Sequence, residues 1–219
     1  MTRFIQIEAS RGSQKWVQKL INEKPILLNL EIREILGEDE IHWLSPIKSD
    51  DYAEYRDEAF LELLGVNLDL VSLSEFWPKQ GPQWDALGKS SGGKLFLVEA
   101  KAHIPELLSN FKGVNQTSID KILGSLQKTK EHFGSMTDFD WSKTFYQYAN
   151  RLAHLYLLRS NNLAAYLVNI YFVGDSEVDG PKTVDEWQGA IRLVHRCLGL
   201  RENLLQKGII DIFIDVARL

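Results

Sequence analysis

Apolar side chains recur with the roughly 3.6-residue period of an α-helix in several segments of the chain. The predicted helices cover residues 10–24, 52–64, 118–133, 141–159 and 183–198. Pro25 is expected to end the first helix and Gly65 to stop the second. Thr183 and Glu186 have the spacing of a capping box at the start of the last helix.

Shorter apolar segments between these helices have the character of strands. The predicted strands cover residues 68–75, 83–87, 95–103, 163–173 and 209–216. Residues 25–43 are ambiguous, because 26–28 fits a strand and 30–36 fits a helix. Helices before, between and after strands indicate an α/β fold, a three-layer sandwich with a central mixed β-sheet flanked by helices. Since no repeat or linker interrupts the pattern, we expect a single domain over residues 1–219.

The composition is that of an ordinary globular protein. Of 219 residues, 44% are hydrophobic and 25% are charged, which excludes disordered, collagen-like and disulfide-scaffold classes. A lone cysteine, Cys197, excludes an internal disulfide and a cysteine-rich zinc site. The longest apolar stretch is too short to span a bilayer, and the first residues lack the apolar run of a signal peptide. We therefore expect a soluble, cytoplasmic protein with no membrane partner.

The net charge of −5 at pH 7 bears on the choice of partner. Proteins that bind nucleic acid tightly and without specificity usually carry a basic excess, because their cations displace counterions from phosphates. This chain has no such excess overall. A nuclease remains compatible with it, since acidic residues can cluster in a metal site while basic residues line a groove.

Candidate chemistry lies on the predicted strand 95–103. Alternation puts Leu95, Leu97, Glu99, Lys101 and His103 on one side of that strand. Ionised groups at the end of an apolar strand are costly unless they are paired or bound to a metal. Asp85 lies on the preceding strand, so two carboxylates and one lysine can converge there. The alternative is a salt-bridged pair at the rim of a sheet.

The turn between the two strands decides whether these groups meet. A three-residue turn at 91–93 pairs Ser90 with Lys94 and sets Asp85 opposite Glu99, on the same face. Such turns commonly end in a left-handed residue, and a glycine stands at that position. A two-residue turn would instead direct the Asp85 carboxylate to the opposite face.

The pattern Asp85…Glu99-Ala100-Lys101 resembles the PD-(D/E)XK nuclease superfamily, which has the restriction-endonuclease-like fold. One departure is that Pro82 stands three residues before the aspartate instead of directly preceding it. The resemblance implies a metal-dependent nuclease in which Asp85 and Glu99 hold Mg²⁺, or Mn²⁺ in its place. Lys101 would then assist the attacking water, with DNA the favoured substrate.

The superfamily often adds a glutamate from the helix before the first strand of the motif. Glu54, Glu58 and Glu62 are the candidates, and we favour Glu58 as a fourth catalytic residue because it borders the apolar stripe of the predicted helix. Glu54 points away from that stripe. The alternative reading of all three is a solvated acidic helix face.

Further along, residues 147–154 include a polar stripe of four side chains. Relatives of the RecB type carry Gln-x-x-x-Tyr after the motif, but here Gln147 is followed by Arg151 at the tyrosine position, so that role does not transfer. The stripe, which also contains Asn150 and His154, could contact phosphate or bases, but we expect it to be ordinary helix surface. Two other functions remain open: a catalytically inactive nuclease-like module for protein interaction, and a phosphodiesterase acting on a smaller substrate. The sequence also leaves open whether the chain forms a homodimer.

Overall fold

A five-stranded mixed sheet forms the centre of the computed structural model, which describes residues 3–37, 40–201 and 203–219. The strands of the described chain are β1 (Arg3–Phe4), β2 (Ile41–Ser45), β3 (Glu54–Tyr55), β4 (Ala86–Ser90), β5 (Leu95–Lys101), β6 (Ala165–Val173) and β7 (Ile209–Asp215). The central sheet has the order β2-β4-β5-β6-β7, while β1 and β3 form a separate antiparallel pair. Strands β2, β4 and β5 pair antiparallel, and β5, β6 and β7 pair parallel.

Helices cover both faces of this sheet. They are α1 (Gly12–Glu23), α2 (Pro25–Leu36), α3 (Glu58–Leu64), α4 (Leu73–Phe76), α5 (Gln116–Phe133), α6 (Tyr146–Ser160) and α7 (Val184–Cys197). Helices α1 and α2 pack with Phe96 and Val98 of β5 in one core, whereas α3 to α7 pack with Leu95 and Leu97 in the other. The alternation of β5 between two cores is as predicted, and the α/β class with a mixed central sheet is confirmed. The arrangement is consistent with a three-layer sandwich.

Local sequence explains most element boundaries. Gly65 adopts a left-handed conformation at the end of α3, as its position predicted. Thr183 accepts a hydrogen bond from the Glu186 backbone N–H at the start of α7, although the Glu186 carboxylate accepts from Lys182 instead of Thr183. None of the helices in the described ranges is long and apolar enough to cross a membrane.

The ambiguous segment resolves as a helix over 25–36, because a proline at the first helical position starts α2 directly after α1. Two predictions of secondary structure are wrong. Residues 52–57 are not helical: Tyr52 and Asp57 have positive φ values and β3 lies between them. Residues 68–75 form no strand, because Ser72 and Glu75 make a capping box that starts the short helix α4.

The hairpin between β4 and β5 has the predicted register. Ser90 donates its N–H to the Lys94 carbonyl at 2.9 Å across a three-residue turn, and Gly93 at the end of that turn has φ +84°. The ladder then pairs Lys89 with Leu95 and continues to Ala86 with Val98. The register therefore brings Asp85 to the level of Glu99.

Candidate active site

Asp85 ends the hairpin ladder. Its backbone N–H donates to the Val98 carbonyl at 3.2 Å, and its Oδ2 accepts a hydrogen bond from the Ala100 N–H at 2.7 Å. Trp84, the residue before Asp85, leaves the ladder and pairs with Tyr55 instead. The Asp85 carboxylate thus accepts the hydrogen bond that a main-chain carbonyl of β4 would otherwise accept. This contact fixes the Asp85 carboxylate at the end of β5, next to Glu99.

Glu99 is buried and bonded to two cations. Its Oε1 accepts from the Lys101 Nζ, and its Oε2 accepts from the Arg151 Nε at 2.6 Å. The Lys101 Nζ also donates to the Gln147 Oε1 at 3.1 Å. Burial raises the pKa of Glu99, but the charges of Arg151 and Lys101 outweigh it and lower that pKa overall. Glu99 is therefore held as a carboxylate.

The pKa of Asp85 shifts the other way. Burial raises it well above its usual range, and repulsion from the charges of Glu99 and Glu54 adds to the rise, with Lys101 opposing it. Both cations of the cluster donate to Glu99, and neither hydrogen-bonds to Asp85. Asp85 is consequently the carboxyl whose ionised form is disfavoured without a further cation beside it.

Glu54, and not Glu58, belongs to this cluster. Glu54 is buried in β3, where its Oε2 accepts from the Gln83 Nε2 at 2.5 Å. Burial raises its pKa, and repulsion from Glu99 contributes to the rise. Glu58 and Glu62 are exposed on α3 and line a groove away from these side chains. The prediction for Glu58 is unsupported because it assumed a helix over residues 52–57, where the chain forms a strand.

The polar stripe of α6 was wrongly predicted to be helix surface. Asn150, Arg151 and His154 are buried, and Gln147 is half-buried. Arg151 donates to the Gln83 carbonyl at 2.8 Å and to the Asn150 Oδ1 at 2.9 Å, besides its contact with Glu99. The signal that could have revealed it is charge balance, because a buried carboxylate needs a cationic partner from another element.

Two polar side chains lie level with Glu99 on the neighbouring strands and form a row across the sheet with it. Glu99 pairs in register with Asn169 of β6, and Asn169 pairs with Asp211 of β7. The Asn169 Nδ2 donates to the Asp211 Oδ1 at 2.9 Å. Burial raises the pKa of Asp211 to about 6. Sequence analysis missed this row, although polar residues interrupt both apolar strands.

The Tyr148 hydroxyl connects this row to α7. It lies 3.5 Å from the Asn169 Nδ2 and 2.8 Å from the His195 Nε2. Burial lowers the pKa of His195 to about 4, so the imidazole is neutral at pH 7. Asn169, Tyr148 and His195 therefore form a chain of contacts from the strand beside Glu99 to helix α7, on the same face of the sheet.

The donor set decides whether a metal fits here. Within the described residues, no group of three or more His, Cys, Asp and Glu side chains is arranged to hold a metal ion. Asp85 and Glu99 are nevertheless hard oxygen donors of the kind that Mg²⁺ binds with one or two carboxylates while keeping several waters. Burial and repulsion disfavour the Asp85 carboxylate, and a bound cation would offset both effects. The donor chemistry is compatible with a divalent ion, and the metal site stays a prediction.

Comparisons with known proteins add no relative. No protein-family model matches the chain, and neither a curated protein nor a solved structure matches it. The resemblance to the PD-(D/E)XK superfamily therefore depends on the motif of Asp85, Glu99 and Lys101 alone.

Proposed function

We propose that this protein is a divalent-metal-dependent nuclease that hydrolyses phosphodiester bonds, with DNA the favoured substrate. One observation carries the proposal: Asp85 and Glu99 meet at the end of β5 beside Lys101, and burial with carboxylate repulsion raises the pKa of Asp85. Such perturbed groups are concentrated at functional sites. A cation bound by both carboxylates would relieve this repulsion.

The residues of the site would have different roles in the reaction. Asp85 and Glu99 would hold Mg²⁺ or Mn²⁺, which when bound polarises a phosphate and lowers the pKa of a coordinated water. The Lys101 ammonium would orient the attacking water or stabilise developing charge. Gln147 holds the Lys101 Nζ at 3.1 Å, and Arg151 keeps Glu99 ionised and ready to bind a cation.

A second candidate function has its own supporting observation. The Arg151 guanidinium already supplies positive charge to the Glu99 Oε2 at 2.6 Å. A permanent cation in that place suits a nuclease-like module that binds partners without catalysis. The two candidates differ in one measurable property, because only the nuclease needs a metal at Asp85.

Asp85→Asn is expected to abolish metal-dependent cleavage, because the amide keeps the acceptor for the Ala100 N–H but loses the charge that holds the cation. The assay supplies Mg²⁺ or Mn²⁺ with single-stranded, duplex and branched DNA, RNA, and a chromogenic phosphodiester. Calorimetric titration of the metal should show binding to the wild type and none to Asp85→Asn.

Lys101→Met should retain metal binding while lowering the cleavage rate by about 10²–10⁴-fold.

Methionine is preferred to alanine at position 101 because Lys101 is buried. Cleavage of the chromogenic diester alone would assign a smaller substrate. Absence of both cleavage and metal binding in the folded wild type would overturn the proposal and favour the inactive module.

Glu54→Gln and Glu58→Gln form a matched pair that tests which glutamate serves the site. Glu54→Gln should weaken Mg²⁺ binding by about 10-fold or more, because it removes a negative charge that interacts with Asp85 and Glu99. Glu58→Gln should stay within about twofold of the wild type, since Glu58 is exposed on α3. Calorimetry at constant ionic strength measures both affinities. The reverse order of effects would restore Glu58 as the catalytic glutamate.

A further inference from the structure

A cleft of about 870 Å³ opens along the C-terminal half of α7 and the chain that follows it. Its lining includes Arg192, Arg196 and Arg201, all exposed, together with His195. Among the described lining residues there is no carboxylate. Three guanidinium groups therefore gather around one concavity in a chain whose net charge is −5.

We infer that this cleft binds backbone phosphates of the nucleic acid that the proposed site cleaves. Arginine offers a planar fork of donors that matches phosphate oxygens in pairs, and it stays charged at every physiological pH. The volume is within the range of sites that enclose a small ligand, so it suffices for one nucleotide unit. The inference takes its substrate class from the proposed function.

The location of the cleft supports this assignment over an isolated surface patch. His195 in its lining contacts the Tyr148 hydroxyl, which lies beside Asn169, the register partner of Glu99. These contacts run through buried side chains, since Tyr148 and Asn169 are both buried. They place the cleft and Glu99 over one core on the same side of the sheet. A strand of nucleic acid that contacts both places needs this arrangement.

The arginines also resolve the conflict between an acidic chain and a polyanionic substrate. The net charge of −5 repels phosphate, so affinity has to come from cations gathered in one place. The cleft provides those cations on the same face of the sheet, since α7 and Glu99 lie over the same core. Binding and hydrolysis would then be carried by separate groups of residues.

Binding of a fluorescein-labelled single-stranded DNA 12-mer, followed by anisotropy in EDTA, tests the cleft without cleavage. The double variant Arg192→Ala/Arg196→Ala should bind at least about 10-fold more weakly than the wild type. Its salt dependence should also fall, by about 0.7 in log–log slope for each lost phosphate contact. Alanine favours helices, so these exposed changes should leave α7 folded.

The control is Lys24→Ala/Arg33→Ala, which removes two exposed cations near α2 on the other side of the sheet. It should bind within about twofold of the wild type. An equal loss in both double variants would overturn the inference by showing diffuse attraction, and so would the absence of any binding by the wild type. Competition by inorganic phosphate at the same concentration as the oligonucleotide would also overturn it, in favour of a small-anion site.

Asp85→Asn separates this inference from the proposed function. It should bind the 12-mer in EDTA as tightly as the wild type while failing to cleave it in Mg²⁺. Arginine-dependent binding without cleavage by the wild type would sustain the cleft and overturn the nuclease. Cleavage by the wild type, together with unchanged oligonucleotide binding in Arg192→Ala/Arg196→Ala, would sustain the nuclease and overturn the cleft.

Discussion

Arg151→Met is expected to lower the free energy of unfolding by about 3–5 kcal/mol, which is the usual cost of removing one partner from a buried ion pair. The change leaves the Glu99 Oε2 without its 2.6 Å contact and removes the hydrogen bond to the Gln83 carbonyl. Methionine fills much of the same volume, so the loss reflects charge more than packing. The pKa of Glu99, which Arg151 now lowers, should rise.

Urea denaturation at pH 7 measures the loss, and a double-mutant cycle identifies its origin. Adding Glu99→Gln to Arg151→Met should recover part of the stability, because the amide carries no charge that needs a partner. Arg218→Met is the control: Arg218 pairs with Glu31 at 3.4 Å on the surface, where such pairs contribute about 0–1 kcal/mol. A cost below about 1 kcal/mol for Arg151→Met would contradict the importance of the buried pair.

Lowering the pH from 7 to 5 is expected to remove about 4 kcal/mol of stability through two buried histidines, before opposing carboxyl groups are counted. Burial lowers the pKa of His154 to about 3 and that of His195 to about 4, from an ordinary value of 6.5. The unfolded chain takes up protons on both residues below pH 6.5, whereas the folded chain does not. Stability is therefore lost as the pH falls, by about 2 kcal/mol for each histidine at pH 5.

Raised carboxyl pKa values oppose this effect. Asp211, with its pKa raised to about 6, takes up a proton in the folded state between pH 7 and 5, which returns about 1 kcal/mol. Asp85 acts in the same direction, since its pKa is raised too. These contributions are present at low pH and are lost as the pH rises through the folded pKa. Glu54, whose pKa is also raised, acts in the same direction as these two carboxyls. The total change with pH therefore differs from the histidine contribution, which a single substitution isolates.

Chemical denaturation at pH 7 and pH 5 measures the difference, with His195→Gln as the test variant. The glutamine keeps a polar partner for the Tyr148 hydroxyl but does not titrate, so the loss between the two pH values should shrink by about 2 kcal/mol. His42→Gln is the control, because it makes the same change at an exposed histidine. Equal pH dependence in the wild type and His195→Gln would contradict the effect of His195 burial.

Periodicity predicted the fold wherever a helix or strand buries one face against the core. Helices α1, α5 and α7 and strands β6 and β7 lie where the apolar pattern placed them, and β5 alternates between the two cores. Residues 52–57 could not be predicted in this way. Their apolar side chains have helical spacing, but the pairing of β3 with β1, about 50 positions earlier, determines their conformation.

The candidate site was predictable to the same extent. Strand alternation and the length of one turn were enough to bring Asp85 to Glu99 and Lys101, because both are local properties of a hairpin. Glu54 and Arg151 come from elements that pack on the hairpin from elsewhere in the chain. Single-sequence spacing carries no information on such packing, although the buried charge of Glu99 indicates that a cation has to be found.

The Ala100 N–H donates to the Asp85 Oδ2, so the chemical shift of this one amide proton depends on the state of the site. An N–H donor polarises according to the charge on its acceptor, so protonation of Asp85 or capture of a cation alters the environment of this proton. The Ala100 cross-peak in an amide NMR spectrum therefore reports the charge on Asp85 without any label or substrate. Asp85 also stands at the end of the β4–β5 ladder. The same signal therefore reports whether the two strands remain paired at that end.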